Sequence, residues 1–396
     1  MNPEAPSVST FRSDDGPDIA RIAALVVSTY SFSISWSRVF PFGHGQVNQL
    51  ALDHSDDVIN ICIEYGIERS VTLYHRDLPL YLQNSHGGWP SSQIVDDFVN
   101  YAEVVFSYYG NKVPRWYTLN EPVAFCYNHP LPDNYFGANK EIPTWQQPYW
   151  CGRHALLAHS KAYHLAKSLS INGTISFKNN GGYKIPLTNS TEDAKVVERA
   201  WDFFGGWFAN PVFINGDFPV VLNDFFGSFL PDFTDKEKHM INGTSDVFAH
   251  DAYTAEFYFA PEGGVDACAQ NSSNSYWPFA LVQPTIIQPR LAEWVPAFLH
   301  FIADKWKPKG GIAITEFGFA GPFEGAKMNK ADTVFDSIRS SHCKEYVEGI
   351  LIALSEGVNI AGCLAWSILD IWNGVQGMGA SLGYSEFHSL SIERKL

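Results

Sequence analysis

Seven short apolar stretches, spaced by segments with helical periodicity, limit what this chain can fold into more than any other feature. Residues 31–36 (SFSISW) alternate small polar with large apolar side chains, the period of two that suits a strand. Residues 67–74 form the next strand, entered through Gly66, which ends an apolar-periodic helix. Residues 97–109 place Phe98, Ala102, Val105 and Tyr109 on one helical face before Gly110, and a strand at 115–119 follows at once. Further short strands are expected at 174–177, 246–250 and 311–315. A helix marked by Tyr346, Ile350 and Leu354 stops at Gly357, ahead of a last strand at 360–366. Strands alternating with helices predict parallel βα units and an α/β fold. Chemistry in such folds gathers where strands run out into the loops before helices.

The length, 396 residues, suits two or three ordinary domains or one α/β barrel. No linker, low-complexity tract or short repeat divides the chain, so residues 1–396 are read as a single domain. With 45% hydrophobic and 17% charged residues, wholesale disorder is excluded. A net charge of −15 without any basic run argues against a nucleic-acid partner. The longest apolar run, 349–366, is broken by Ser355, Glu356 and Asn359 and does not read as a membrane span. Residues 1–17 are polar and lack the apolar core of a leader, so a cytoplasmic location is the expectation. Six scattered cysteines with no C-x-x-C pair are neither a disulfide framework nor a zinc ribbon, and most read as small buried hydrophobes. Sequons at Asn172, Asn189, Asn242 and Asn271 are as many as chance supplies. Aromatics, at 15%, could pave a sugar site or fill a core, and composition alone does not choose.

Several strands end in polar or aromatic residues: Tyr74-His75, Asn120-Glu121, Asp251 to Tyr253, Glu316 and Trp366. Two of these ends carry a glutamate directly on an apolar run. Thr118-Leu119-Asn120-Glu121-Pro122 sets Glu121 just past an apolar strand, beside an amide and ahead of a proline, and Ile312 to Gly318 sets Glu316 likewise at the end of an apolar strand. Two carboxylates at one barrel mouth can flank a glycosidic bond as proton donor and nucleophile, with retention expected near 5–5.5 Å and inversion at wider spacing. Either glutamate alone would more often be a strand-end partner in a salt bridge. Other motifs carry less. Gly379 to Gly383 fits G-x-S-x-G but follows a glycine-rich loop and leaves too little chain for a downstream acid and histidine. His154, His159 and His164 are five apart, which spreads them around a helix, so no metal site is expected there. No phosphate-cradling loop is present.

Read together, these blocks resemble glycoside hydrolase family 1, the β-glucosidase family, and especially its fungal members, from about Asp18 to about Gln376. Residues 30–41 resemble the family's Y-R-F-S-I-S-W-S-R block, and Val71 to Pro79 its V-T-L-Y-H-W-D-L-P, followed by Gly87-Gly88-Trp89. Thr118 to Pro122 matches its T-L-N-E-P signature, Gly206 to Pro211 and Leu230 to Thr234 match further blocks, and Ile314 to Gly318 resembles the nucleophile strand. Ala365 to Asp370 resembles the eighth-strand W-S-x-x-D. The resemblance implies a (β/α)8 TIM barrel acting, without a cofactor, as a retaining β-glycosidase on a short β-glucoside or cellobiose-like oligosaccharide. It implies Glu121 as general acid/base and Glu316 as nucleophile. Asn120 would hydrogen-bond the sugar 2-OH, His75 another hydroxyl, and Tyr253 the nucleophile. Trp366 would lie under the sugar ring and Trp294 on the leaving-group side.

Departures from the family pattern cluster on function. The first strand, with its sugar-binding glutamine, has no counterpart before Asp18, so the barrel is expected to be incomplete there. Ser31 replaces an arginine that would bond the nucleophile, which should leave Glu316 harder to ionise and less firmly aimed. Arg76 replaces a tryptophan, Asn373 falls where a sugar-gripping glutamate is expected, and Gly374 where a tryptophan is. Residues 385–396 no longer resemble the family. Two readings follow: an active but divergent glycosidase, or a glycan-binding relative, or truncated product, that has lost catalysis. Survival of both glutamates with Asn120, His75 and Tyr253 favours the enzyme.

Overall fold

All seven expected strands are present and lie side by side in one parallel sheet of the computed structural model, which describes residues 15–127, 141–277, 279–283, 291–318 and 337–367. In chain order the strands are β1 (Thr29–Ser33), β2 (Glu68–Tyr74), β3 (Arg115–Asn120), β4 (Thr174–Asn180), β5 (Tyr183–Pro186), β6 (Phe248–Asp251), β7 (Ala255–Tyr258), β8 (Ile312–Phe317) and β9 (Ile360–Ala365). The large sheet runs β1-β2-β3-β4-β6-β8-β9, while β5 and β7 form a small parallel pair of their own that the sequence did not announce. Central strands β3 and β8 are buried almost throughout, as parallel strands covered on both faces must be. The outer strands β1 and β9 are only partly buried.

The sheet curls into a nearly closed barrel. Arg115 on β3 donates to the carbonyl of Ala361 on β9 at 3.3 Å, across the barrel floor. At the other end the rings of His75, after β2, and Trp366, after β9, have centroids 5.5 Å apart. No strand among the described residues bridges β1 and β9, so the arrangement is a (β/α)8 barrel with one stave fewer. That agrees with the expected incompleteness.

Helices clothe the outside. Tyr101, on the helix Gln93–Tyr109, stacks on Trp36 with centroids 5.3 Å apart. Its hydroxyl lies 2.8 Å from the Ile34 carbonyl and 2.9 Å from that of Leu73, sharing one proton between two strand ends. On the far side Tyr346, from the helix Ser337–Ser355, stacks on Phe317 at 4.4 Å and donates to the Ala252 carbonyl at 2.8 Å. Buried aromatics thus fill the layer between helices and sheet, which is where much of the aromatic excess goes.

Cysteine usage differs from expectation. Cys126 and Cys151 form a disulfide with Cα atoms 5.5 Å apart, joining the helices Pro122–Tyr127 and Gln147–Ser168. Cys62 and Cys268 are buried thiols as expected, but Cys343 is half-buried and Cys363 exposed. The wide spacing hid the pair, because two helices that are neighbours only in the folded state bring them together. The four sequon asparagines are all exposed. No helix among the described residues is long and apolar enough to cross a membrane.

Candidate active site

Glu121 stands immediately after β3 with φ 49°, a left-handed conformation that ends the strand and begins the helix Pro122–Tyr127. Its backbone N–H donates to the Lys178 carbonyl at 3.1 Å, tying the turn to β4. Glu316 lies inside β8, whose six residues are all buried. A glycine must follow two residues later, since a Cβ at Gly318 would fall 2.4 Å from the Trp366 carbonyl oxygen. Strand curvature brings the two glutamates together with Asp251 from β6, and one carboxylate oxygen of each lies within 4.8 Å of the others.

Donors from four directions sort these three acids. Tyr253 donates its hydroxyl to Glu316 Oε2 at 2.8 Å, and Lys178 donates its ammonium to Glu316 Oε1 at 3.1 Å. Arg76, itself at φ 65°, forms an ion pair with Glu121 Oε2. Thr315 donates to Asp251 Oδ1 at 2.6 Å, whereas Asp251 Oδ2 has no hydrogen-bond partner among the described residues.

Burial, and then the Glu316 charge, push the Glu121 carboxyl up to about 7 against the opposing pull of Arg76 and Lys178. The same two causes, in the same order, push the Asp251 carboxyl well above the carboxylate range. Burial also depresses His75 to about 4, leaving a neutral imidazole. A protonated and an ionised carboxyl side by side are what a two-carboxylate displacement requires. Three adjacent acids are also a donor set for a divalent cation, but the Lys178 ammonium and Arg76 guanidinium already engage two of them.

Most of the sequence-derived site residues lie together. Asn120, fully buried at the end of β3, approaches His75 Nε2 with its Nδ2 at 3.4 Å. Its Oδ1 has no partner among the described residues, an acceptor that a sugar hydroxyl would satisfy. Trp366 stands beside His75, and Tyr253 touches Glu316. Asn373 lies outside the described residues, as do Gly374 and the G-x-S-x-G run.

Trp294 requires correction. It sits on the helix Leu291–Trp306, 3% exposed, with its ring against Tyr346 and Phe298. That is a core position between helix and sheet, and it leaves no face for a leaving group. Position 31 offers Glu316 no cation, as expected from Ser31. The structure supplies one from Lys178, and sequence reasoning missed it along with Asp251's place in the acid cluster. Both residues end apolar runs in polar ones, a signal that was noted for Asp251 but not followed into the barrel.

This geometry has close counterparts. The family model described as glycosyl hydrolase family 1 matches residues 13–395. Among curated proteins, beta-glucosidase 34 of rice (Oryza sativa subsp. japonica) is 31% identical over 92% of this chain and 76% of its own length. Beta-glucosidase 42 of Arabidopsis thaliana is 32% identical over 92% of this chain and 77% of its own. The crystal structure of a rice beta-glucosidase superposes with a TM-score of 0.80 at 28% identity, over 91% of this chain and 80% of that one. A beta-glucosidase of the fungus Humicola insolens, in complex with glucose, gives 0.79 at 26% identity, over 89% and 78%. Plant enzymes therefore match at least as well as this fungal one, so the similarity is not specifically fungal. A family model that spans nearly the whole chain, and a fold that carries both of its acids to one barrel mouth, place this protein in glycosyl hydrolase family 1.

Proposed function

We propose that the protein is a retaining β-glycosidase that removes terminal β-D-glucosyl residues from short glucosides or oligosaccharides by double displacement. One observation carries the reading: Glu121 and Glu316 face each other within 4.8 Å, the first pushed towards protonation and the second bonded to an ammonium. In the first step Glu316 attacks the anomeric carbon while Glu121 gives its proton to the departing glycosidic oxygen, leaving a glycosyl ester on Glu316. Esterification removes the negative charge that helped raise Glu121, so its carboxyl, having given up its proton, stays ionised and can take a proton from water as a general base. That water attacks the same carbon from the face opposite the ester, the bond to the Glu316 oxygen breaks to release its carboxylate, and two inversions give retention. Asn120 and His75 would grip ring hydroxyls, and Trp366 would support the apolar face of the ring.

The choice of glucose rests on likeness to relatives named β-glucosidases and on the glucose complex of the fungal relative. For location, the Cys126–Cys151 pair weighs against the cytoplasm, where thiols are kept reduced, and favours an oxidising compartment.

The test is hydrolysis of a chromogenic aryl β-glucoside by the purified chain, with Glu316→Gln and Glu121→Gln alongside. Turnover abolished by Glu316→Gln, with a 2-deoxy-2-fluoroglucoside labelling Glu316 in the parent, upholds the reading. A folded parent that binds glucose in calorimetry but neither turns over nor labels would instead be a glycan-binding relative.

A further inference from the structure

We propose that Lys178 is the positioning residue of the nucleophile, aiming the Glu316 carboxylate from β4 in place of a cation on β1. The inference rests on the reading of Glu316 as nucleophile.

A lysine is almost never fully buried unless its charge is matched. Lys178 is 2% exposed, and among the described residues its ammonium has one hydrogen-bond acceptor, Glu316 Oε1, at 3.1 Å. Tyr253 takes the other oxygen, so donors from two different strand ends fix the carboxylate plane. Ser31, on the half-buried outer strand β1, carries no charge to do this. Strand register explains why β4 can. Lys178 is paired with Asn120 on β3 and Ala249 on β6, at the level of the acids. Phe177 just before it points outward, its ring 4.9 Å from that of His159.

Among the surrounding groups, Glu316 answers the ammonium's charge most strongly and Asp251 next. Asp251 on β6 faces it with its carboxyl pushed towards protonation by burial, and Tyr117 on β3 offers a ring 5.6 Å from Nζ. Glu121, after β3, is matched by Arg76, while His75 after β2 is neutral and Tyr253 keeps its proton. Two cations therefore divide the labour. The half-exposed guanidinium serves the acid/base at the mouth, and the buried ammonium serves the nucleophile beneath.

The experiment compares the parent chain with Lys178→Met and Lys178→Arg, reading kcat and KM against pH on an aryl β-glucoside. It also follows the 13C-carboxyl resonance of Glu316, assigned by its loss in Glu316→Gln. In Lys178→Met, kcat should fall about 100-fold or more with KM changed by less than about threefold, since the contact serves the transition state. The acidic limb should move up by about one pH unit or more, and Lys178→Arg should recover part of both losses. A Lys178→Met chain as active as the parent, with its acidic limb in place, overturns the proposal. The carboxyl titration needs no turnover, so it decides the role of Lys178 even if the parent proves inert and the nucleophile reading fails. Protonation of Glu316 at higher pH in the variant supports the proposal, and protonation at the same pH overturns it. Should Lys178→Met not fold, Lys178→Gln gives the same neutral comparison.

Discussion

Arg76 and Glu121 close an ion pair across the mouth of the barrel, each from a left-handed backbone conformation, at φ 65° and 49°. Such conformations cost about 1–3 kcal/mol each for residues other than glycine and persist only where the surroundings enforce them. Here they aim a cation at the very carboxyl that must be protonated to act.

The pair sets a pH limit. Glu121, at about 7, must hold its proton in the resting enzyme, so kcat/KM should fall as pH rises through that value. Arg76 pulls Glu121 downward, and removing it should move the basic limb up. For Arg76→Gln we expect a rise of about half to one pH unit, moderated because the guanidinium is half-exposed. A basic limb of kcat/KM that stays put would show that Arg76 does not depress Glu121 in the free enzyme.

Trp366 offers an independent check on the sugar platform. Trp366→Ala should raise KM for an aryl β-glucoside about tenfold, the size of one lost aromatic contact of about 1–2 kcal/mol. Steady-state kinetics at fixed pH measure it. A KM unchanged within twofold would place the sugar elsewhere.

Three buried histidines predict acid lability. Burial lowers His154 and His250 to about 4 and His159 to about 3, all below the value of about 6.5 in an unfolded chain. The unfolded chain therefore binds more protons below pH 6.5, so their stability contribution is complete above that pH and is lost progressively as pH falls towards 4. Calorimetry should show Tm falling between pH 7 and pH 5. In His250→Gln the slope should be shallower by up to about 1.4 kcal/mol per pH unit, one proton's worth.

The Cys126–Cys151 disulfide closes a loop of 25 residues' separation. Chain entropy assigns such a closure about 3 kcal/mol. A Cys126→Ser/Cys151→Ser double variant should unfold at lower denaturant concentration by about that amount, with added reductant lowering the parent to match. A reductant that leaves the parent's midpoint unchanged would mean the thiols are not paired in solution.

The seven barrel strands were legible because each carries alternating or consecutive apolar residues between helical stretches. The small sheet was not. Tyr183–Pro186 and Ala255–Tyr258 interleave charged Lys184 and Glu256, which break the pattern. The acids at Glu121 and Glu316 could be read from their strand ends, with the family motifs around them. Lys178 could not, for a definite physical reason. The apolar run stops at Phe177, where the strand was expected to end, yet β4 continues to Asn180 and turns that lysine inward. In a barrel the polar residues that terminate an apolar run are the ones that reach the reaction chamber. Trp294 shows the converse error, since an aromatic on a helix facing the sheet is more often packing than platform.

The pairing of Lys178 opposite Asn120 makes the chemistry hostage to a single alignment. If β4 docked one position out of step, a phenyl group would plug the chamber and the nucleophile would lose its counter-ion at a stroke. A misassembled chain of this kind would keep most of its secondary structure while being chemically dead, so a circular-dichroism spectrum alone would not distinguish it from the working protein.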